Sequence, residues 1–209
     1  MLKLFRTIFI FMDTFAQPKS RIFSYQCNNL FEYLLVATSN EEINEQVQAE
    51  KNSFFDTYGA IVSVKTKPYI TVTKFLAKEA MEETIIRWMN RAIGTQPRFS
   101  VLLNNYGGFP PHTIYMKVQQ QQPFKQLFDA LQSVNHYVQS NDCPPMQLVT
   151  KPHLAIAKQL SLPVFNVAIQ DYAKKSFSAS FDIGELVLLR RQHEFDDCKQ
   201  LTRFQLSTS

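Results

Sequence analysis

Two eight-residue stretches carry the side chains best suited to proton transfer and anion binding. Lys67-Pro68-Tyr69-Ile70-Thr71-Val72-Thr73-Lys74 returns 84 positions later, without a gap, as Lys151-Pro152-His153-Leu154-Ala155-Ile156-Ala157-Lys158. Lysine, proline and lysine match at the first, second and eighth places, and aliphatic residues match at the fourth and sixth. At the third, fifth and seventh places one copy has a phenol and two hydroxyls, the other an imidazole and two methyl groups. An imidazole titrates near neutrality and can give or take a proton, whereas phenols and hydroxyls donate hydrogen bonds.

For these groups to line up, each copy must be a short strand. The proline restricts the lysine before it to an extended conformation, and aliphatic residues then alternate with smaller or polar ones. A period of two puts Ile70 and Val72 on one face, and likewise Leu154 and Ile156; these faces are expected to be core. Tyr69, Thr71 and Thr73, and in the second copy His153, Ala155 and Ala157, fall on the opposite face.

The chain around them has 209 residues, 45% hydrophobic and 19% charged, an ordinary globular composition that argues against a disordered chain and allows a sizeable core. A formal charge of +4 permits an anionic partner without requiring one, because lysine and arginine are scattered rather than blocked. Cys27, Cys143 and Cys198 form no Cys-x-x-Cys pair, so they suggest a reducing compartment and neither a disulfide framework nor a zinc site. His112, His136 and His193 lack metal-ligand spacing and are read as surface or structural residues. Residues 1–30 read as a leader without a folded role: the apolar run Thr7 to Met12 is too short to span a bilayer and is followed by no Ala-x-Ala cleavage site. Met12 is an alternative start. The expected protein is cytoplasmic and monomeric, with no membrane partner.

Taken in order, Phe31 to Thr38 is a continuous apolar run of strand length, and Ser39 is placed to cap a helix from Asn40 to about Phe55. Ile61 to Val64 leads into the first motif strand. Lys78 to Ile93 has apolar residues at helical spacing and stops at Gly94, with Trp88 read as core or interface packing. Phe99 to Asn104 and Thr113 to Val118 suggest a hairpin around a turn at Tyr106 to Pro111, where Gly107-Gly108 is a weak candidate for a phosphate loop. The polar run Gln119 to Gln122 is a plausible boundary. Phe124 to Val138 and Leu160 to Lys174 read as helices, the second tolerating Pro163 only in its first turn. Phe177 to Phe181, Glu185 to Arg190 and Leu201 to Leu206 read as strands. Strand, helix, strand, glycine turn and strand thus recur in the same order after each motif. The expected class is α+β: residues 31–206 form one bilobal domain of two pseudo-symmetric lobes, each a mostly antiparallel sheet with helices on its outer face.

In these features the chain resembles the two-histidine (2H) phosphoesterase superfamily, which includes the LigT-like 2′-5′ RNA ligases and 2′,3′-cyclic phosphodiesterases. The likeness runs from about Phe31 to Leu206. It rests on His153-Leu154-Ala155-Ile156 and Tyr69-Ile70-Thr71-Val72 as the paired His-aliphatic-Thr/Ser-aliphatic strands, on the FSVLL run at Phe99, and on Gly184 to Arg190 with Arg203-Phe204-Gln205-Leu206. The resemblance implies a shared groove that takes an RNA end or nucleotide phosphate, no metal and no cofactor. One imidazole would act as base and the other as acid on a cyclic or 2′-5′ phosphodiester, with the Thr or Ser hydroxyls on the phosphate oxygens.

Each copy departs from that pattern at one place. Tyr69 stands where the first histidine would be, and Ala155 where the second Thr or Ser would be. The residues expected at the reaction are therefore His153, Tyr69 and Thr71, with Lys67, Thr73 and Lys151 as substrate ligands. Three readings stay open: a working phosphoesterase with reduced activity, a binder of nucleotides or RNA ends that hydrolyses them poorly or not at all, and a structural pair at a lobe interface.

Overall fold

The computed structural model describes residues 30–59, 67–193 and 196–208. Residues 1–29 of the expected leader, Cys27 among them, and Ile61 to Val64 lie outside them, while Leu30 belongs to the first strand. β1 (Leu30–Ala37) is followed by α1 (Glu41–Tyr58), β2 (Ile70–Lys78), a 3-10 turn (Glu79–Met81), α2 (Glu82–Ile93), β3 (Phe99–Phe109) and β4 (Thr113–Val118). Then come α3 (Gln122–Ala130), α4 (Gln132–Ser140), β5 (Gln147–Leu148), β6 (His153–Ala157), α5 (Leu162–Tyr172), β7 (Ser178–Ile183), β8 (Glu185–Arg191) and β9 (Lys199–Gln205).

The strands form one continuous sheet in the order β7-β3-β4-β6-β2-β1-β8-β9, with β5 also on β2, and every named pair is antiparallel. The two motif strands are its central neighbours and meet at one register pair, Ile70 with Leu154. Four strands lie on either side of that seam. The helices cover one face, where Leu35, Ile70, Val72, Leu154 and Ile156 join Val47, Phe54, Ile85 and Met89 in the main core. The other face carries a smaller apolar cluster of Leu34, Val36 and Val187, with Tyr69, Leu189 and Cys198 packed against it. The aliphatic motif residues are thus core, as the alternation requires.

Alternation does not persist through the whole motif. Leu35 pairs with Thr73 and Val36 with Thr71, so β2 carries an extra residue at Val72. Ile114 pairs with Ala157 and Tyr115 with Ala155, so β6 carries one at Ile156, the same motif place. A bulge of this kind changes the face of everything beyond it. Thr73 therefore turns into the core, where it is fully buried and its hydroxyl donates to the Gln147 carbonyl at 2.8 Å. The expectation that it shares a face with Thr71 is not met.

Other differences have local causes. Asn40, not Ser39, caps α1 by accepting from the Ile43 amide at 3.0 Å, while the Ser39 hydroxyl donates to the Asn44 side chain at 2.8 Å. The helix continues to Tyr58 and ends at Gly59, whose φ of 71° suits glycine. Lys78 remains in β2, and the expected 124–138 helix is broken at Leu131, whose amide donates back only three residues to Phe128. β3 runs through Gly107-Gly108 to Phe109, so these glycines are strand residues and not a turn or phosphate loop. A side chain at Gly108 would meet Phe165 and Ile169 of α5 at 2.9 Å, which explains the need for glycine there. Trp88 is 38% exposed and lies against Tyr137 of α4 at 5.1 Å between ring centroids, a surface contact rather than core.

Glu50 ties α1 to α5. It accepts the Tyr172 hydroxyl and the Lys175 ammonium, both at 2.6 Å, and Tyr172 packs edge-on to Tyr106 of β3 at 4.9 Å. Burial alone would raise the Glu50 carboxyl, but the hydrogen bonds from Lys175 and Tyr172 outweigh it and hold it below its ordinary value. A carboxylate depressed in the folded state contributes stability that is present above its unfolded pKa and lost as pH falls through the folded one. Glu50→Ala is expected to cost about 1–3 kcal/mol at neutral pH, because it leaves the buried Tyr172 hydroxyl unpaired. Urea unfolding of both proteins from pH 7 to pH 3 checks this: the difference should shrink below pH 4.5.

Candidate functional site

The face away from the helices holds the motif side chains. Continuing the antiparallel register from Ile70 and Leu154 puts Thr71 opposite His153 and Tyr69 opposite Ala155. His153 and Tyr69 are then diagonal neighbours, roughly 7–8 Å apart at the backbone. On the outer side of β6, Tyr115 is the partner of Ala155 and Lys117 the partner of His153.

The local contacts fix the state of His153. Its Nδ1 lies 2.8 Å from the Lys151 carbonyl, an acceptor only, so Nδ1 carries the hydrogen and Nε2 of the neutral ring keeps its lone pair. The ring stands edge-on to Phe109 at 4.9 Å and tilted against Tyr115 at 5.0 Å, and those two rings stack on each other at 4.3 Å. Burial lowers the imidazole pKa below its ordinary value, partly offset by the hydrogen bond to Lys151 and reinforced by the Lys158 charge. At neutral pH the group is a base.

Tyr69 is set the other way. It packs against the Leu34, Val36 and Val187 cluster beside Leu189 and Cys198, and Lys158 Nζ lies 5.8 Å from its ring centroid. Burial raises its pKa, with the nearby Cys198 thiol adding to the shift and Arg191 opposing it, so the phenol stays protonated. The two shifts leave both groups uncharged at neutral pH, the imidazole a hydrogen-bond acceptor at Nε2 and the phenol a donor.

Gly107 builds the aromatic wall. A Cβ there would come within 2.9 Å of the Tyr115 ring and 3.0 Å of the Lys117 stem, so the absent side chain lets both lie across β3. Nothing in the spacing of Gly107, Phe109 and Tyr115 marks them as surroundings of His153, since the sequence pattern assigns the glycine to a turn. Of the expected substrate ligands, Lys67 and Lys151 are exposed at the entrances to their strands, Lys151 contributing its carbonyl to His153, and Thr73 is in the core. Lys51, 3% exposed on α1, is a charged residue that the sequence does not single out: burial lowers its ammonium to about 8, with Lys158 repelling it further.

A separate cleft of about 790 Å³ lies on the helix face beside α2, lined by Glu79, Glu82, Arg87, Asn90 and Thr202 among others. It contains no motif residue, and Arg190 holds both Glu79 and Glu82 through ion pairs. Among the described residues no three His, Cys, Asp or Glu side chains are grouped as metal ligands would be, and no helix is long and apolar enough to cross a membrane.

The sequence profile of the 2′-5′ RNA ligase superfamily matches residues 40–194, a span that includes both motif strands. The chain belongs to this superfamily. The fold agrees: E. coli LigT complexed with 3′-AMP superimposes with a TM-score of 0.63 at 16% identity, over 85% of this chain and 99% of that one. TT0787 of Thermus thermophilus gives 0.61 at 14% identity, over 84% and 97%, and Kluyveromyces marxianus Usb1 gives 0.51 at 11%, over 83% and 97%. At these identities the likeness is one of fold. E. coli LigT structures hold 3′-AMP, NADP+, ATP or phosphate. No protein of curated function matches the sequence.

The depressed imidazole gives a direct check. Because the unfolded chain takes up the His153 proton first, stability should fall as pH drops through about 6.5 toward the folded value. Ring-proton NMR should show His153 titrating below about 6.5, and Phe109→Ala with Tyr115→Ala, which rehydrates the ring, should move it back up. A native value at or above that ordinary one would contradict the burial argument.

Proposed function

We propose that the protein binds an RNA end or nucleotide bearing a 2′,3′-cyclic or 2′-5′ phosphodiester in the groove between His153 and Tyr69, and hydrolyses it slowly or not at all. The observation that carries this reading is His153: a ring whose Nδ1 is held by the Lys151 carbonyl, leaving Nε2 as the acceptor, one residue from the Ile70–Leu154 register pair in a chain of the 2′-5′ RNA ligase superfamily. In the forward step water attacks phosphorus and gives its proton to His153 Nε2, the bond from phosphorus to one ribose oxygen breaks, and that oxygen takes a proton. The Thr71 hydroxyl donates to a phosphate oxygen. Lys67 and Lys151 supply positive charge at the strand entrances.

The slow step is protonation of the leaving oxygen. Tyr69 holds a proton, but its raised pKa makes it a reluctant acid compared with an imidazolium. Ala155 offers no hydroxyl where a second phosphate ligand would stand. General acid–base catalysis contributes roughly 10²–10⁴-fold per group, so losing one accounts for weak turnover. A second reading, binding without chemistry, is favoured by the packing of Tyr69 into the apolar cluster, which makes it a wall of the groove as much as a donor.

Hydrolysis of 2′,3′-cyclic nucleotides and 2′-5′ dinucleotides separates these readings. Wild type should show weak activity that His153→Ala removes. Tyr69→His with Ala155→Thr should raise activity at least about tenfold, and His153→Ala in that background should abolish the gain. A folded double variant no more active than wild type would leave binding as the function.

A further inference from the structure

The bulges at Val72 and Ile156 have a second effect. Without them Lys74 and Lys158, the eighth residues of the two motifs, would fall on the core face with Ile70, Val72, Leu154 and Ile156. With them, Thr73 and Ala157 go into the core and each lysine returns to the groove face. Lys74 pairs across β1 with Leu34, a member of the groove-side cluster, and Lys158 reaches over the Tyr69 ring. The same residue type thus reaches the same face through the same irregularity in both motif strands.

The two lysines stand at opposite ends of the site. Along the strands the order is Lys74, then Thr71 beside His153, then Tyr69 beside Ala155, then Lys158. With the bulges included, their backbones are roughly 20 Å apart. No single phosphate between His153 and Tyr69 can touch both. A ligand that engages both must carry phosphates on either side of the central one, spaced along the strand direction.

We propose that Lys74 and Lys158 are phosphate ligands for the nucleotides flanking the central phosphate, so that the groove takes a short single strand of RNA lying along β2 and β6 rather than a mononucleotide. This rests on the reading of the groove as a phosphodiester site and specifies its ligand. The aromatic wall of Phe109 and Tyr115 borders the path, and base stacking on such rings is tolerant of sequence.

The test compares binding of a 2′,3′-cyclic mononucleotide, ATP and a hexaribonucleotide ending in a 2′,3′-cyclic phosphate, over a range of salt. Wild type should bind the hexamer more tightly than the mononucleotide or ATP. Lys74→Gln with Lys158→Gln should weaken hexamer binding at least about tenfold and reduce the slope of log K against log salt by about 0.7 for each lysine. Lys74→Arg with Lys158→Arg should retain it, which separates charge from folding. Lys125→Gln with Lys174→Gln, which removes the same net charge from exposed ion pairs on α3 and just beyond α5, should leave the slope unchanged. A mononucleotide or ATP that binds as tightly as the hexamer, or a slope indifferent to Lys74 and Lys158, overturns the proposal while leaving the phosphodiester site intact. Failure of wild type to bind any of the three overturns both.

Discussion

The face that carries the motif side chains depends on the seam between β6 and β2. One antiparallel register pair, Ile70 with Leu154, fixes which groups face each other, and a slip by one residue would send every motif side chain to the opposite face. The register is held from the helix side, where Ile70, Val72, Leu154 and Ile156 are at most 1% exposed in the main core. The polar face is therefore positioned by apolar packing it does not itself contribute.

On that face the two halves have different characters. The β4 and β6 half presents a neutral imidazole against stacked aromatic rings, over a strand kept bare by Gly107. The β1 and β8 half presents Leu34, Val36 and Val187, with Tyr69 laid against them. Burial lowers the His153 pKa and raises that of Tyr69, so one environment keeps both groups neutral, one as an acceptor and the other as a donor. The charges that act on this neutral pair include Lys158, over the Tyr69 ring, and Arg191 with Glu32.

Much of this is legible in the chain itself. The gapless repeat of Lys-Pro-x-aliphatic-x-aliphatic-x-Lys identifies both motif strands, and alternation assigns their core and groove faces as far as the sixth place. Beyond it the alternation fails, because a bulge is a backbone irregularity set by strand pairing rather than by residue type. Simple alternation consequently puts Thr73 in the groove and passes over Lys74 and Lys158. Gly107 and Gly108 mislead for a related reason: glycine signals a turn and a close approach equally, and only the packing of Tyr115 on one face and Phe165 on the other distinguishes them. The Phe109 and Tyr115 wall leaves no sequence signal, since it arises from the β3–β4 pairing.

On the proposed reading a nucleotide phosphate binds over the β6–β2 seam and not in the cleft beside α2. Amide NMR during titration with a nucleoside 3′-monophosphate tests it most directly. The largest shifts are expected at Thr71, His153 and Tyr115. Shifts confined to Arg87, Asn90 and Thr202 around the α2 cleft, or no shifts at millimolar ligand, would contradict it.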